Sequence, residues 1–104
     1  MTTKLAAIPP GEILLEEFML PLEISQNRLA QELGVNVARV HEIIHARRGI
    51  SAETALRLAA YFRTSAEFWL NLQTRYDLKI AERAYGLTIK LQVRPPHLVP
   101  LKRP

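Results

Sequence analysis

Gly34 and the residues spaced around it constrain this chain more than any other feature. Ala30 stands four residues before it, and Val40 and Ile43 stand six and nine residues after it. A glycine at this point allows a sharp turn between two short helices. A small side chain at position 30 lets those helices approach closely. The later aliphatics Val40 and Ile43 then point back against Leu29, Ala30 and Leu33. Such a tight αα corner over residues 25–46 is the spacing of a helix-turn-helix, whose second helix can lie in the major groove of DNA.

The rest of the pattern extends this corner into one small domain. Residues 1–8 read as a loose arm. Pro9 and Pro10 open a helix that carries Ile13, Leu14, Glu17 and Phe18 in its periodic pattern through Met19, and Pro21 ends it. Ser25 caps the second helix, which runs to Gly34. Asn36 caps the third, whose inward residues are Val40, Ile43 and Ile44, with Arg47-Arg48-Gly49 as its stop. Ser51 opens a fourth helix with an apolar face of Leu56, Ala59, Ala60 and Phe62. Ser65 opens a fifth, with Phe68, Trp69, Leu72 and Tyr76 as its stripe, extending to about Tyr85 before Gly86. Residues 9–85 are therefore expected to form the domain, and residues 86–104 a basic C-terminal tail.

Within that tail Leu87, Ile89, Leu91 and Val93 alternate with Thr88, Lys90, Gln92 and Arg94. A period of two predicts a β-strand over 87–94, to pair with its own copy or with another protein's sheet. A flexible tail with accidental alternation is the competing reading. Pro95 and Pro96 end the pattern, and residues 95–104 read as extended or disordered.

Charge is distributed unevenly. The chain carries a net +4, but residues 1–35 hold Lys4 and Arg28 against Glu12, Glu16, Glu17, Glu23 and Glu32. Residues 79–104 hold Lys79, Arg83, Lys90, Arg94, Lys102 and Arg103 against Glu82. Basic surface favours phosphate, whereas an acidic first helix suits a basic protein partner. With no cysteine, disulfides and thiolate metal sites are excluded and a reducing cytoplasm is the expected compartment. No apolar run reaches the length of a membrane span, and the N-terminus lacks the apolar core of a signal peptide.

If the third helix enters the groove, Asn36, Val37, Ala38, Arg39, His41 and Glu42 face DNA, with His45 further along. Arg39 suits a bidentate contact to guanine or a phosphate, and Val37 and Ala38 suit thymine methyls. Glu42 can accept from a cytosine amino group, or pair with Arg39 three residues earlier. Gln26 and Asn27, at the start of the second helix, and Arg47 and Arg48, past the third, are placed for phosphate. A competing motif overlaps: His41-Glu42-Ile43-Ile44-His45 matches H-E-x-x-H, the two-histidine zinc helix of metalloproteases. The next histidine is His97, so a third ligand is lacking at interpretable spacing, and a match this short arises readily by chance. No catalytic residue, metal or cofactor is expected.

The resemblance reaches beyond the corner. PPGEILLEEFMLPLEIS at 9–25, GISAETALRLAAYF at 49–62 and TSAEFWLNLQTRYDL at 64–78 resemble the HigA family of antitoxins, within the Xre/Cro-like helix-turn-helix class, over roughly residues 8–84. That resemblance implies a compact all-α, five-helix domain of the lambda-repressor-like type. It implies a protein that neutralises a HigB toxin, a small basic RelE-like ribonuclease that cuts mRNA. It also implies a homodimer that binds palindromic operator DNA and represses its own operon. Asn36, Ala38, Arg39 and Glu42 are the matching groove-facing set. Glu42 departs from the basic or neutral polar residue many relatives carry there. Glu12, Glu16 and Glu17 are the candidate toxin contacts. Two other readings remain open on the residues alone: a stand-alone transcription regulator, and an interaction module that has lost DNA binding through Glu42.

Overall fold

The computed structural model describes residues 7–97, so most of the N-terminal arm and residues 98–104 of the tail lie outside the described residues. Five helices follow in order: α1 over residues 10–22, α2 Gln26–Leu33, α3 Val37–Ile44, α4 Ala52–Phe62 and α5 Ala66–Gln92. Among the described residues there is no strand, and no helix is long and apolar enough to cross a membrane.

The four caps expected from sequence each satisfy an otherwise orphaned backbone N–H. Ser25 Oγ accepts from Arg28 N, Asn36 Oδ1 from Arg39 N, Ser51 Oγ from Thr54 N and Ser65 Oγ from Phe68 N, all at 3.0–3.2 Å. Helix α1 does not stop before Pro21. It widens into a π turn over Leu14–Met19, carries Pro21 in its last turn and ends at Glu23, which is left-handed at φ 55°. Proline offers no N–H and crowds the carbonyl four residues back. A wider turn just upstream accommodates that loss.

Gly34 sits at the α2–α3 corner with φ 76°, and Val35 N reaches back to the Ala30 carbonyl at 3.0 Å. Leu29, Ala30, Leu33, Val40 and Ile43 are buried there as expected, joined by Leu14, Met19, Ile50, Ala55, Leu58 and Trp69. Helix α3 stops at Ile44, and Ala46 rather than Gly49 takes the left-handed conformation. Gly49 instead lies against Gln73, whose Oε1 accepts from Ile50 N at 2.7 Å and ties this loop to α5. On α4 the inward face is Thr54, Ala55 and Leu58, whereas Leu56, expected inward, is 63% exposed.

A polar strap joins α2 to α4. Arg57 Nη1 donates to the Leu33 carbonyl at 2.9 Å, and the Tyr61 hydroxyl donates to the Glu32 carboxylate. The Tyr61 hydroxyl and then Arg28 hold the Glu32 carboxyl below the usual carboxylate range, and the same bond pushes the Tyr61 phenol up. Both groups are solvent-accessible, so the strap orients the helices more than it adds stability.

The largest departure from expectation is the C-terminal strand. Residues 87–92 continue α5 as helix, through Gly86, and Val93 N closes the last turn on the Ile89 carbonyl at 2.8 Å. A lone strand leaves its backbone groups without partners, whereas a helix satisfies its own. Ala81, Glu82, Arg83 and Ala84 favour the helix up to Gly86, which costs it about 1 kcal/mol relative to alanine. In helical register Ile80, Ala84, Leu87 and Leu91 share one face, and that face continues the line of Trp69 and Tyr76. Ile80, Leu87 and Leu91 are 44%, 70% and 74% exposed. The 27-residue helix therefore projects an apolar stripe past the rest of the domain, and with it included the longest dimension is 55 Å.

Candidate nucleic-acid interface

The α2–α3 corner fixes one face of α3 in the core through Val40 and Ile43 and leaves the opposite face outward. Val37, Ala38, His41 and His45 are exposed on it. An open depression of about 450 Å³ is lined by Gln26, Val37, Ala38, His41, Glu42 and Arg47. All six were expected at a DNA surface from sequence. Gln26 belongs to α2 and His41 to α3, and they meet at 3.3 Å between Gln26 Oε1 and His41 Nδ1. Asn27 is exposed beside Gln26, and Asn36 is exposed at the start of α3 with its Oδ1 committed to the cap.

The expected Arg39–Glu42 pair does not form. Arg39 leans toward α4, where its Nη1 donates to Glu53 Oε1 at 3.2 Å and to Thr54 Oγ1 at 3.3 Å, leaving its side chain 27% exposed. Glu42 pairs instead with Arg48, at 2.8 Å. The physical reason lies outside the motif. Glu53, in the first turn of α4, is already held by Arg57 at 2.9 Å and draws Arg39 into a three-residue network. Arg57 and then Arg39 hold the Glu53 carboxyl below its ordinary range. Thr54 is a buried polar residue, and Arg39 and Ser51 supply its hydroxyl with partners. Sequence reasoning missed Glu53 and Thr54. The available signal was an acidic residue in the first turn of the next helix, which can attract a cation from a neighbouring helix as well as favour its own helix N-terminus.

The depression thus offers apolar surface from Val37 and Ala38, hydrogen-bonding groups from Gln26, His41 and Glu42, and the cation of Arg47. Arg48 is tied to the lining residue Glu42 by an ion pair at 2.8 Å. Such a mixture suits base edges in a groove with a phosphate at the rim. Glu12, Glu16 and Glu17 are exposed on α1, on a different helix from the depression.

His41 and His45 stand one helical turn apart, with ring centroids 4.1 Å apart. Among the described residues no group of three or more histidine, cysteine, aspartate or glutamate side chains is placed to hold a metal. The H-E-x-x-H match therefore has no protease-like ligand set around it, and Glu42 is engaged by Arg48.

Known proteins share this fold. A helix-turn-helix family model matches residues 15–69. Virulence-associated protein I of Dichelobacter nodosus is 51% identical over 80 residues, covering 77% of this chain and 74% of that protein. Antitoxin HigA-1 of Vibrio cholerae is 37% identical over 76 residues, covering 73% of this chain and 71% of that one. Among solved structures, the Pseudomonas aeruginosa antitoxin HigA with the higBA promoter superposes with a TM-score of 0.84 at 46% identity, over 86% of this chain and 98% of that chain.

Proposed function

Because the chain belongs to the HigA-type antitoxins of the Xre/Cro-like helix-turn-helix class, we propose that it is a non-enzymatic repressor and antitoxin that binds operator DNA through α3. The observation that carries this reading is the depression itself. Gln26 of α2, Val37, Ala38, His41 and Glu42 of α3, and Arg47 beyond it converge there on one surface. Arg47 and Arg48, with Gln26 and Asn27, hold phosphates on either side, and Asn36 and Arg39 brace the start of α3. A repressor of this kind acts at the chromosome, in the cytoplasm.

The test is fluorescence anisotropy of the full chain with the DNA upstream of its own gene, against a scrambled duplex, across a salt series. Tight binding to the upstream DNA with a steep salt slope is the expected result. Arg47→Ala should weaken both duplexes alike and lower the salt slope by about 1. Equal weak binding of the two duplexes by the parent chain would sink operator recognition.

Two partners follow from the family and from surface chemistry. The first is a second copy of the chain, covering the apolar stripe of Ile80, Leu87 and Leu91 on α5. Two copies related by a twofold axis would present two α3 helices to the halves of a palindrome. Light scattering at micromolar concentration should give twice the chain mass, and a monomer mass would remove this contact. The second partner is a HigB-type toxin, a basic ribonuclease engaged by Glu12, Glu16 and Glu17 of α1. Reversing all three to lysine should abolish co-purification with that toxin and leave operator binding intact. Undiminished capture by the triple variant would move the toxin contact elsewhere.

A further inference from the structure

We propose that His41 and His45 form a two-ligand site for a divalent transition ion such as nickel, copper or zinc, and that an ion bound there excludes operator DNA. The second half of the proposal rests on the DNA-binding reading of α3; the first half does not.

The hydrogen bonds fix the chemistry of both rings. His41 Nδ1 lies 3.3 Å from Gln26 Oε1, and His45 Nδ1 lies 2.9 Å from the His41 carbonyl oxygen. Neither oxygen can donate, so in each neutral ring Nδ1 carries the proton. Both Nε2 atoms are left with their lone pairs, on exposed side chains. Histidines that ligate metals are held in this way, with the second ring nitrogen donating to a carbonyl that sets tautomer and orientation. Here an α2 side chain and the backbone of α3 supply those two acceptors.

Spacing completes the pair. Residues 41 and 45 are one turn apart on the same helix face, and their rings stand 4.1 Å apart with an interplanar angle of 36°. Two nitrogens on a tetrahedral ion at about 2.0–2.1 Å are separated by roughly 3.4 Å, so the two rings must turn until their Nε2 lone pairs converge on one ion. No third protein ligand is placed nearby among the described residues, so water fills the remaining positions. An imidazole-only pair favours copper over both nickel and zinc.

The site sits on the reading surface. His41 lines the depression together with Val37, Ala38 and Arg47. The Nε2 lone pair that would bind an ion is the same one that would meet a base edge. A hydrated ion there occupies the space of that base, while its charge still attracts phosphate. Occupancy therefore removes operator selectivity and spares non-specific binding.

The test uses the full chain, without a histidine tag, titrated with nickel chloride by calorimetry. One ion per chain is the expected result, with binding lost in His41→Gln and in His45→Gln and kept in His97→Gln. Circular dichroism would confirm that the variants fold. Absence of binding, or binding unchanged in His45→Gln, overturns the site. Operator anisotropy is then measured in EDTA and in nickel at ten times its dissociation constant. Competition at one site raises the apparent operator Kd about tenfold, with no loss of affinity for the scrambled duplex. An operator Kd unmoved by nickel overturns the exclusion. Failure to bind the operator even in EDTA would refute operator recognition by this chain and, with it, the exclusion, while the calorimetry still decides the ion site.

Discussion

Replacing Gly11 with alanine is expected to lower the unfolding free energy by about 3 kcal/mol, the upper end of the usual overpacking range. Gly11 lies in the first turn of α1 and is buried against the end of α3. A Cβ placed there would stand 1.9 Å from the Ile43 carbonyl oxygen, 2.6 Å from its carbonyl carbon and 2.7 Å from Ile44 Cα. All three are backbone atoms, so no side-chain rotation relieves the clash. Two effects oppose each other. Alanine favours a helix over glycine by about 1 kcal/mol. The clash forces α1 off the end of α3, and it outweighs that gain. For a domain of this size the melting temperature should fall by roughly 10–20 °C. Gly86→Ala is the control. Its Cβ would meet only Glu82 Cβ at 3.9 Å, an ordinary contact, so the helix preference should act alone. Melting of Gly11→Ala within 2 °C of the parent would mean that α1 does not approach α3 as described.

The corner was legible because its determinants are local. Ser25, Asn36, Ser51 and Ser65 act as caps at the positions where a chain of this pattern needs them, and Gly34, Ala30, Val40 and Ile43 specify a turn whose geometry allows few substitutes. The lining of the depression followed from that corner, since the face opposite Val40 and Ile43 has to point outward. What escaped depends on distant residues or on competing periods. Arg39 turned toward Glu53 and Thr54, fourteen and fifteen residues away, and no local rule weighs that network against Glu42. Apolar residues occupy several faces of α4, Leu56 among them, and only packing against the neighbouring helices selects Ala55 and Leu58 as the inward ones. The stretch from Leu87 to Val93 alternates as a strand does. Its residues at intervals of four also share a helix face, and seven residues cannot discriminate the two periods. Continuity with a well-formed helix upstream decided it. Gly11 carries no signal in the sequence, because a glycine in a first turn has no evident role until the helix that crosses it is known.

Trp69→Ala should cost about 3–5 kcal/mol, the range for removing a large aromatic side chain from a core. Trp69 is fully buried, with ring centroids 4.9 Å from Phe18, 5.0 Å from Phe68 and 6.2 Å from Phe62. It therefore joins α1, α4 and α5 through one side chain, and its Nε1 donates to Thr64 Oγ1 at 2.7 Å. Trp69→Phe keeps most of the apolar area and loses the donor, so it should cost less, roughly 1–2 kcal/mol for a smaller cavity and one lost hydrogen bond. Because this is the chain's single tryptophan, urea unfolding of the parent can be followed by its fluorescence, while both variants need circular dichroism. The two substitutions separate area from polarity: equal losses would make the Thr64 bond the larger contribution, and a loss below 1 kcal/mol in Trp69→Ala would contradict the burial itself. The consequence reaches the outer half of α5. That half has no other helix against it among the described residues, so the direction in which its apolar stripe projects is set at the Trp69 end. A second copy docked on the stripe can hold two α3 helices at a fixed separation only while that anchor holds. Operator affinity in Trp69→Ala should accordingly fall even at temperatures where its helical signal persists.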